Sequence, residues 1–312
     1  MKFNLLGLGA LLALVSAGHS AHAIGFTYGD PANLKAPAIY ADSPNARVLV
    51  RKADGFLYEK AVEPNIGTWQ TIGGPAVKAN SGPAAVYSGI SSYYVVRGTD
   101  NLIYERHATG VWSNAMGAPP GGAGTSPAIA ALPSGPIYVA VLDNSNSPWY
   151  RQMNSNGTPN GAWTKAGVNS LQGVPGIALN SSVTPHMFAL DASQNTIRAR
   201  CGFGGGCFNP WTNYGPGLGN SGTNAVNYHT SSGFNKISTV LLGLDNKPWV
   251  ATSDDDGANF GGFTSLGGGV ADSSPAMAFF GTAQRLLVTV HRSDGYYVYG
   301  ITAGVWTAIG SP

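Results

Sequence analysis

Aromatic and charged residues occur together in two stretches of this sequence. The first is YVVRGTDNLIYERHATGVW (94–112), and the second is RKADGFLYEKAVEPNIGTW (51–69). A sugar is bound by a flat ring against its C–H face and by charged groups that hydrogen-bond its hydroxyls. These stretches supply both, so they predict carbohydrate binding. The candidate residues are Arg51, Tyr58, Glu59, Trp69, Arg97, Tyr104, Glu105 and Trp112. A weaker third set is Tyr150, Arg151 and Trp163.

A structural role for the same residues stays open. The rings would then pack between sheets, and the Arg and Glu side chains would form cross-strand pairs at the surface. Because side chains alternate along a strand, Tyr104 and Glu105 should point to opposite faces of their sheet. The residues of one stretch therefore cannot all serve one pocket.

Catalysis finds less support in the residue types. Glycoside hydrolysis generally needs two facing carboxylates, and the candidates are few, namely Glu59, Glu63 and Glu105. The sequence shows no Ser-His-Asp spacing typical of a catalytic triad. The histidines beyond residue 23 stand far apart, at His107, His186, His229 and His291. We expect no catalytic residues, and a sialidase-like glycoside hydrolase is the enzyme alternative.

The two cysteines, Cys201 and Cys207, enclose a glycine-rich loop. In an oxidising compartment this spacing predicts a disulfide that closes the loop. A structural zinc site is disfavoured, because no histidine or second cysteine pair lies at ligand spacing. We expect neither a metal nor a cofactor.

The elements that must position these residues are six sequence repeats. Each repeat carries an aspartate in a turn, and these aspartates are spaced 43 to 54 residues apart. They are Asp54, Asp100, Asp143, Asp191, Asp245 and Asp294. An aromatic marker follows each of them, at Trp69, Trp112, Trp163, Trp211, Phe263 and Trp306. A run such as PAIY or PAAVY precedes each aspartate.

Each repeat divides into four short segments rich in Val, Ile, Tyr and Trp, which favour strands. Asp-Gly at 54–55 and Asp-Asn at 100–101 suit tight hairpin turns, because Gly and Asn accept positive φ angles. Repeats of about 45 residues with four strands are typical of propeller blades. The sequence therefore predicts an all-β, six-bladed β-propeller of four-stranded antiparallel blades. Seven blades are less favoured, because residues 24–35 are too short for a blade.

The stretch VVRGTDNLIYERHATGVWSNAMGAP (95–119) resembles the repeat of PLL-type bacterial β-propeller lectins and their tachylectin-like relatives. The resemblance is good in the second repeat, fair in the first and sixth, and weak in the others. It implies a secreted protein that binds glycans in shallow pockets between neighbouring blades. Those lectins often have seven blades and a second tryptophan in the fourth strand, which is missing here.

Residues 253–260, SDDDGANF, resemble the Asp-box of sialidase-like propellers, with Asn259 and Phe260 at its last two positions. In those proteins the motif is a structural hairpin cap away from the catalytic face. We expect a turn here. A weak calcium site through Asp254, Asp255 and Asp256 is the alternative.

Charge excludes some partners. Charged residues make up 10% of the chain, with a net charge of +2, against about 25% in typical domains. This leaves no basic stripe for a nucleic-acid backbone and no polybasic segment for anionic lipid. Glycans or glycoconjugates are the expected partners. A protein-interaction scaffold or secreted effector is the alternative, and the oligomeric state stays open.

The first 23 residues have the pattern of a cleaved Sec signal peptide. Lys2 precedes an apolar run, and Ala21-His22-Ala23 forms the small-x-small cleavage site. The apolar run is short for a membrane span, although a retained signal anchor is the alternative. We predict a signal peptide (1–23), an N-terminal edge segment (24–35), a six-repeat propeller domain (36–312), and export to the periplasm or the medium.

Overall fold

A computed structural model gives the structure of this chain. It describes residues 34–312 except 108–109, 134, 168–169, 203–205, 208–210, 216–218, 220–221, 230–234 and 302. The predicted signal peptide lies outside the described residues, as does most of the predicted edge segment 24–35. None of the described residues forms a helix long and apolar enough to cross a membrane.

Each sequence repeat folds into its own antiparallel sheet, and we number these six blades in chain order. Blade 1 comprises β1 (Ala38–Asp42), β2 (Asn45–Arg51), β3 (Leu57–Glu63) and β4 (Gln70–Gly73). Blade 2 comprises β5 (Ala84–Tyr87), β6 (Ser92–Arg97), β7 (Ile103–His107) and β8 (Ser113–Gly117). Blade 3 comprises β9 (Ala128–Ala131), β10 (Ile137–Leu142), β11 (Pro148–Met153) and β12 (Pro159–Lys165).

The second half of the chain repeats this order with one addition. Blade 4 comprises β13 (Gln172–Leu179), β14 (Pro185–Leu190), β15 (Thr196–Gly202), the short β16 (Gly206–Cys207) and β17 (Thr212–Gly215). Blade 5 comprises β18 (Asn224–His229), β19 (Asn235–Leu242), β20 (Pro248–Ser253) and β21 (Thr264–Ser265). Blade 6 comprises β22 (Ala276–Phe280), β23 (Arg285–Arg292), β24 (Gly295–Gly300) and β25 (Val305–Gly310), with a 3-10 turn (Gly281–Ala283) after its first strand.

The first strands of the blades close a ring. Each of β1, β5, β9, β13, β18 and β22 contacts the next, and β22 contacts β1. Together they surround a central channel of about 440 Å³. The six-bladed β-propeller predicted from the sequence is confirmed.

Two kinds of connection lie on opposite faces of the ring. The aspartate turns after the second strands share one face with the connections between blades, and we call this the linker face. The hairpins after the first and third strands lie on the other face, which we call the hairpin face. The aspartate turns have the predicted geometry, since Gly55 and Asn101 have φ angles of 89° and 61°.

Neighbouring blades bury their sheet faces against each other, and we call each such surface a seam. In seam 1–2, Leu49 and Leu57 of blade 1 pack with Val96 and Tyr104 of blade 2. On the opposite side of blade 1, Val48 packs against blade 6. A single blade has two apolar faces that it cannot cover alone, which is why the ring must close.

The aromatic markers of the fourth strands lie in these seams. The indole Nε1 of Trp163 donates to the Met116 carbonyl of the preceding blade at 2.9 Å. Trp211 and Trp306 donate likewise to Ala166 and Leu266 of the blades before them. These tryptophans therefore pack between sheets, which is the structural role that the sequence analysis left open.

Cys201 and Cys207 form the predicted disulfide, which joins β15 to β16 in blade 4.

Candidate functional site

Each blade has two side-chain positions that point toward the next blade and lie near the hairpin face. One is on the second strand and the other is on the third. The strand registers place them diagonally opposite each other, 11 or 12 residues apart in the sequence. They are Arg47/Glu59, Tyr93/Glu105, Tyr138/Tyr150, His186/Arg198, Ser238/Val250 and Leu287/Val298. Equivalent backbone positions thus carry very different chemistry in the six seams.

Seam 1–2 carries an ion pair at these positions. Arg47 donates from Nη1 to Glu59 Oε1 at 2.9 Å and from Nε to Asp42 Oδ2 at 3.0 Å. The Arg47 side chain is 31% exposed, and within the described residues its Nη2 has no partner. This guanidinium is fixed on one side and open to a ligand on the other.

Two tyrosines complete the seam 1–2 cluster. Tyr40 and Tyr94 both donate their hydroxyls to Glu59 Oε2, at 2.5 and 3.1 Å. Burial raises the pKa of Tyr94 to about 12, with the Glu59 charge as a further cause, and burial raises the pKa of Tyr40 as well. Both hydroxyls therefore stay protonated and donate to the Glu59 carboxyl group.

Asp42 adds a second carboxylate to this cluster. Burial raises its pKa, although the neighbouring Arg47 opposes the shift. Its Oδ1 is buried and has no hydrogen-bond partner within the described residues. The cluster therefore combines a guanidinium, two carboxylates and two tyrosine hydroxyls, and groups of these types can hydrogen-bond sugar hydroxyls.

Seams 2–3, 3–4 and 6–1 are more closed at the equivalent positions. Glu105 is 5% exposed, accepts from the Met116 backbone N–H and has a pKa raised by burial. Tyr138 and Tyr150 pack within the core of seam 3–4. Leu287 and Val298 form part of the apolar core of seam 6–1.

The predicted arginines Arg51 and Arg97 bind backbone. Arg51 Nε donates to the Ala79 carbonyl at 2.6 Å. Arg97, which is 2% exposed, donates to the carbonyls of Ala123 and Asn80 at 3.2 and 3.0 Å. Both guanidinium groups hold the connection between blades 1 and 2, and Arg97 also holds the connection between blades 2 and 3 at Ala123.

The predicted aromatic residues are held by the turn aspartates. Tyr58 donates to Asp54 at 3.2 Å, and Tyr104 donates to Asp100 at 2.9 Å. In blade 3 the equivalent ring is Trp149, which donates to Asp143 at 2.8 Å, rather than the predicted Tyr150. The signal that identifies Trp149 is its place directly after the strand-opening proline, as at Trp249 in blade 5.

The structure does not bring the predicted residues of one repeat into one pocket. Tyr58 and Trp69 pack in seam 6–1, whereas Glu59 lies in seam 1–2. Tyr104 and Trp112 lie in seam 1–2, and Glu105 lies in seam 2–3, where Trp163 also packs. Of the predicted residues only Glu59 belongs to the Arg47 cluster, and sequence reasoning missed Asp42, Arg47, Tyr40 and Tyr94.

The Asp-box stretch forms a hairpin cap. Asp255 accepts from the Ser253 hydroxyl at 2.6 Å and from the Asn259 backbone N–H at 2.8 Å. The Asn259 N–H and the Ser253 hydroxyl lower the pKa of Asp255 to about 2. Asp256 accepts from Ser181 of blade 4. No group of three or more metal-ligating side chains occurs within the described part of the chain.

The structure is thus a six-bladed β-propeller with an ion-pair cluster in seam 1–2. The sequence matches no protein-family model and no curated protein. Solved structures share the fold, among them the fucose-specific lectin from Aleuria aurantia, with 14% identity, a TM-score of 0.63, and 89% of this chain and 96% of that chain covered. That lectin is described as a six-bladed β-propeller.

Two further structures extend this comparison. AofleA from Arthrobotrys oligospora is 12% identical with a TM-score of 0.65, and the match covers 90% of this chain and 86% of that chain. The Hadza microbial sialidase Hz136 is 10% identical with a TM-score of 0.60, and the match covers 87% of this chain and 66% of that chain. At these identities the likeness concerns the fold.

Proposed function

We propose that this protein is an exported, non-catalytic carbohydrate-binding propeller that binds glycans in seam 1–2. The observation that carries the proposal is the partly exposed Arg47, paired with Glu59 and Asp42 beside two tyrosine rings. A guanidinium and carboxylates held in fixed positions can bind adjacent hydroxyls of a sugar at once. The two tyrosine rings are buried and position Glu59 through their hydroxyls.

The fold supports the same function. The Aleuria aurantia lectin is fucose-specific, and another lectin of similar fold, SapL1, was solved with alpha methyl fucoside. The repeat also resembles that of PLL-type lectins, and this resemblance implies sugar binding between blades. We therefore take methyl α-fucoside as the first probe, with other glycans on an array.

The test is a glycan array with residues 24–312, followed by competition with free sugar. We expect retention on a subset of glycans, competed by the free sugar and lost in Arg47→Met and in Glu59→Gln. Lys165→Met removes an exposed cation elsewhere and should bind normally. Absence of any glycan signal, or unchanged binding by both seam variants, contradicts the proposal.

The sialidase of similar fold motivates a second candidate, a glycoside hydrolase. Turnover of a fluorogenic sialoside by residues 24–312, lost in Glu59→Gln, would establish it. The protein-interaction scaffold is the third outcome, marked by an empty array together with specific capture of a partner protein.

Export is part of the proposal and has its own test. We expect the mature protein to begin at Ile24, after cleavage behind Ala23. Mass determination of the amino terminus of protein recovered from the periplasm or medium checks this. A chain that keeps residues 1–23 would instead support the signal anchor.

A further inference from the structure

Seam 4–5 carries basic groups at the positions that hold Arg47 and Glu59 in seam 1–2. His186 lies on β14 and Arg198 on β15, and both face blade 5 beside Phe188 and the Phe260 ring. Arg200 pairs in register with His186 and is exposed at the end of the seam. The hairpin cap of blade 5 covers the ring of His186, since a Cβ on Gly257 would lie 2.7 Å from it.

Nitrogen atoms of His186 and Arg198 lack hydrogen-bond partners within the described residues. His186 is 1% exposed, and neither of its ring nitrogens has a partner within the described residues. Arg198 Nε and Nη1 are also buried without a partner there. A buried polar group left without a partner is uncommon and costs about 1–3 kcal/mol. Four polar atoms in this state at one place therefore point to a missing partner.

The carboxylates of the neighbouring hairpin do not fill this role. Asp255 is held by Ser253 and Asn259, Asp256 by Ser181, and Asp254 by Lys236. Asp255 still acts on Arg198 through its charge, but Arg198, Arg200 and His186 form no hydrogen bond with any of these three.

The arginine can reach a ligand at the seam. Arg198 is half-buried, and its hydrogen bond within the described residues runs from Nη2 to the Ala258 carbonyl at 3.3 Å. Such a long bond holds the guanidinium weakly, so a rotation can turn its free nitrogens toward the exposed Arg200. The two guanidinium groups would then flank one anionic group.

We propose that seam 4–5 binds the carboxylate group of an acidic glycan. Arg198 and Arg200 hold the anionic oxygens, and His186 is the buried neutral donor behind them. Arginine is suited to this role because its planar N–H groups match two oxygens of one anion. The assignment of a sugar as the ligand depends on the proposed carbohydrate-binding function. The assignment of an anion-binding site depends only on the residues of this seam.

The burial of His186 gives the test a local readout. Burial and the charges of Arg198 and Arg200 lower the pKa of His186 to about 3, so the ring is neutral at pH 7. Its ring resonances, assigned by comparison with His186→Gln, report on the seam without involving Arg47 or Glu59.

The experiment adds methyl glucuronide, methyl glucoside or sodium sulfate to residues 24–312 at pH 7. The two glycosides differ only in the C6 carboxylate. We expect methyl glucuronide to shift the His186 resonances saturably and methyl glucoside to leave them unchanged. Affinity should fall at least tenfold in Arg198→Met and at least threefold in Arg200→Met, and stay unchanged in Lys165→Met.

Each other outcome overturns part or all of the proposal. A response to sulfate without one to methyl glucuronide overturns the glycan ligand, and no response to either anion overturns the site. Unchanged affinity of a folded Arg198→Met variant for methyl glucuronide also overturns the site. If the methionine variant unfolds, Arg198→Lys serves as the second variant. If the glycan array shows no binding of neutral glycans, the proposal for seam 1–2 fails, whereas the result of this experiment on seam 4–5 is unaffected.

Discussion

Arg47 and Glu59 lie 2.9 Å apart on the face of blade 1 that packs against blade 2. Their pairing joins a second strand to a third strand, and two tyrosines from two different blades complete it. Arg47, Glu59, Asp42 and Tyr40 all belong to blade 1, and ring closure adds Tyr94 of blade 2 to the cluster.

Replacing Arg47 tests the binding role of this pair. We expect Arg47→Met to weaken binding of the array-identified glycan at least tenfold, because charge-assisted hydrogen bonds contribute about 1.5–3 kcal/mol. Stability should change little, since partly exposed ion pairs contribute about 0–1 kcal/mol. Calorimetric titration and thermal unfolding separate the two effects, and a large loss of stability with intact binding would contradict the assignment.

Trp163 and Trp112 form a matched pair for the seam contacts. Trp163 Nε1 donates to the Met116 carbonyl, whereas the buried Trp112 Nε1 has no partner within the described residues. Replacement by phenylalanine should therefore cost about 1 kcal/mol more at Trp163 than at Trp112. Urea unfolding of Trp163→Phe and Trp112→Phe measures this, and equal costs would show that the hydrogen bond contributes nothing.

The turn aspartate should stabilise its own hairpin. Asp100 accepts from the Leu102 backbone N–H at 3.2 Å and from the Tyr104 hydroxyl at 2.9 Å. We expect Asp100→Ala to lower the free energy of unfolding by about 1–3 kcal/mol. Asp100→Asn keeps an acceptor and should lose less, as thermal unfolding can show. Identical losses in both variants would argue against the capping role.

Glu105 should make stability depend on pH. Burial raises its pKa in the folded protein, so the unfolded chain releases this proton at lower pH than the folded chain does. The free energy of unfolding therefore falls as pH rises from the unfolded pKa, about 4.3, through the raised folded pKa. Glu105→Gln should gain stability relative to the native protein over that interval, measured by urea unfolding from pH 4 to 8. A difference that is constant with pH would contradict this.

The disulfide should stabilise by restricting the unfolded chain. Cys201 and Cys207 lie six positions apart in the sequence, and closing so short a loop is worth about 2 kcal/mol. The Cys201→Ser/Cys207→Ser variant should unfold at correspondingly lower urea concentration. Dithiothreitol should destabilise the native protein and leave the variant unaffected, and a native protein indifferent to reductant would refute the bond.

Part of the site was predictable from local pattern. Glu59 was identified because it follows the marker tyrosine of the first repeat, and its face was correctly separated from that of Tyr58. Arg47 carries no comparable signal, because it stands before the markers and has no equivalent arginine in the other repeats. Tyr94 was missed because its partner Glu59 lies 35 residues away in a different blade.

The arginine of the repeated motif was predicted to bind sugar, but its contacts in the structure are structural. Arg97 has the residue type and spacing of a sugar-binding group, yet it is buried against backbone carbonyls of the next connection. Whether such a guanidinium faces a ligand or a carbonyl depends on how the connection folds back. Packing between blades sets that path, so the motif alone does not predict it.

The sequence by itself determined the number of blades and their four-stranded build, because turns and strand alternation act over a few residues and recur with the repeat. It also determined the disulfide, whose two cysteines are close in the chain. Only the tertiary structure decided which side chains share a seam, since each seam joins residues from two blades that meet when the ring closes. Six locally similar repeats thereby yield an ion-pair cluster in seam 1–2, a basic cluster in seam 4–5 and an apolar core in seam 6–1.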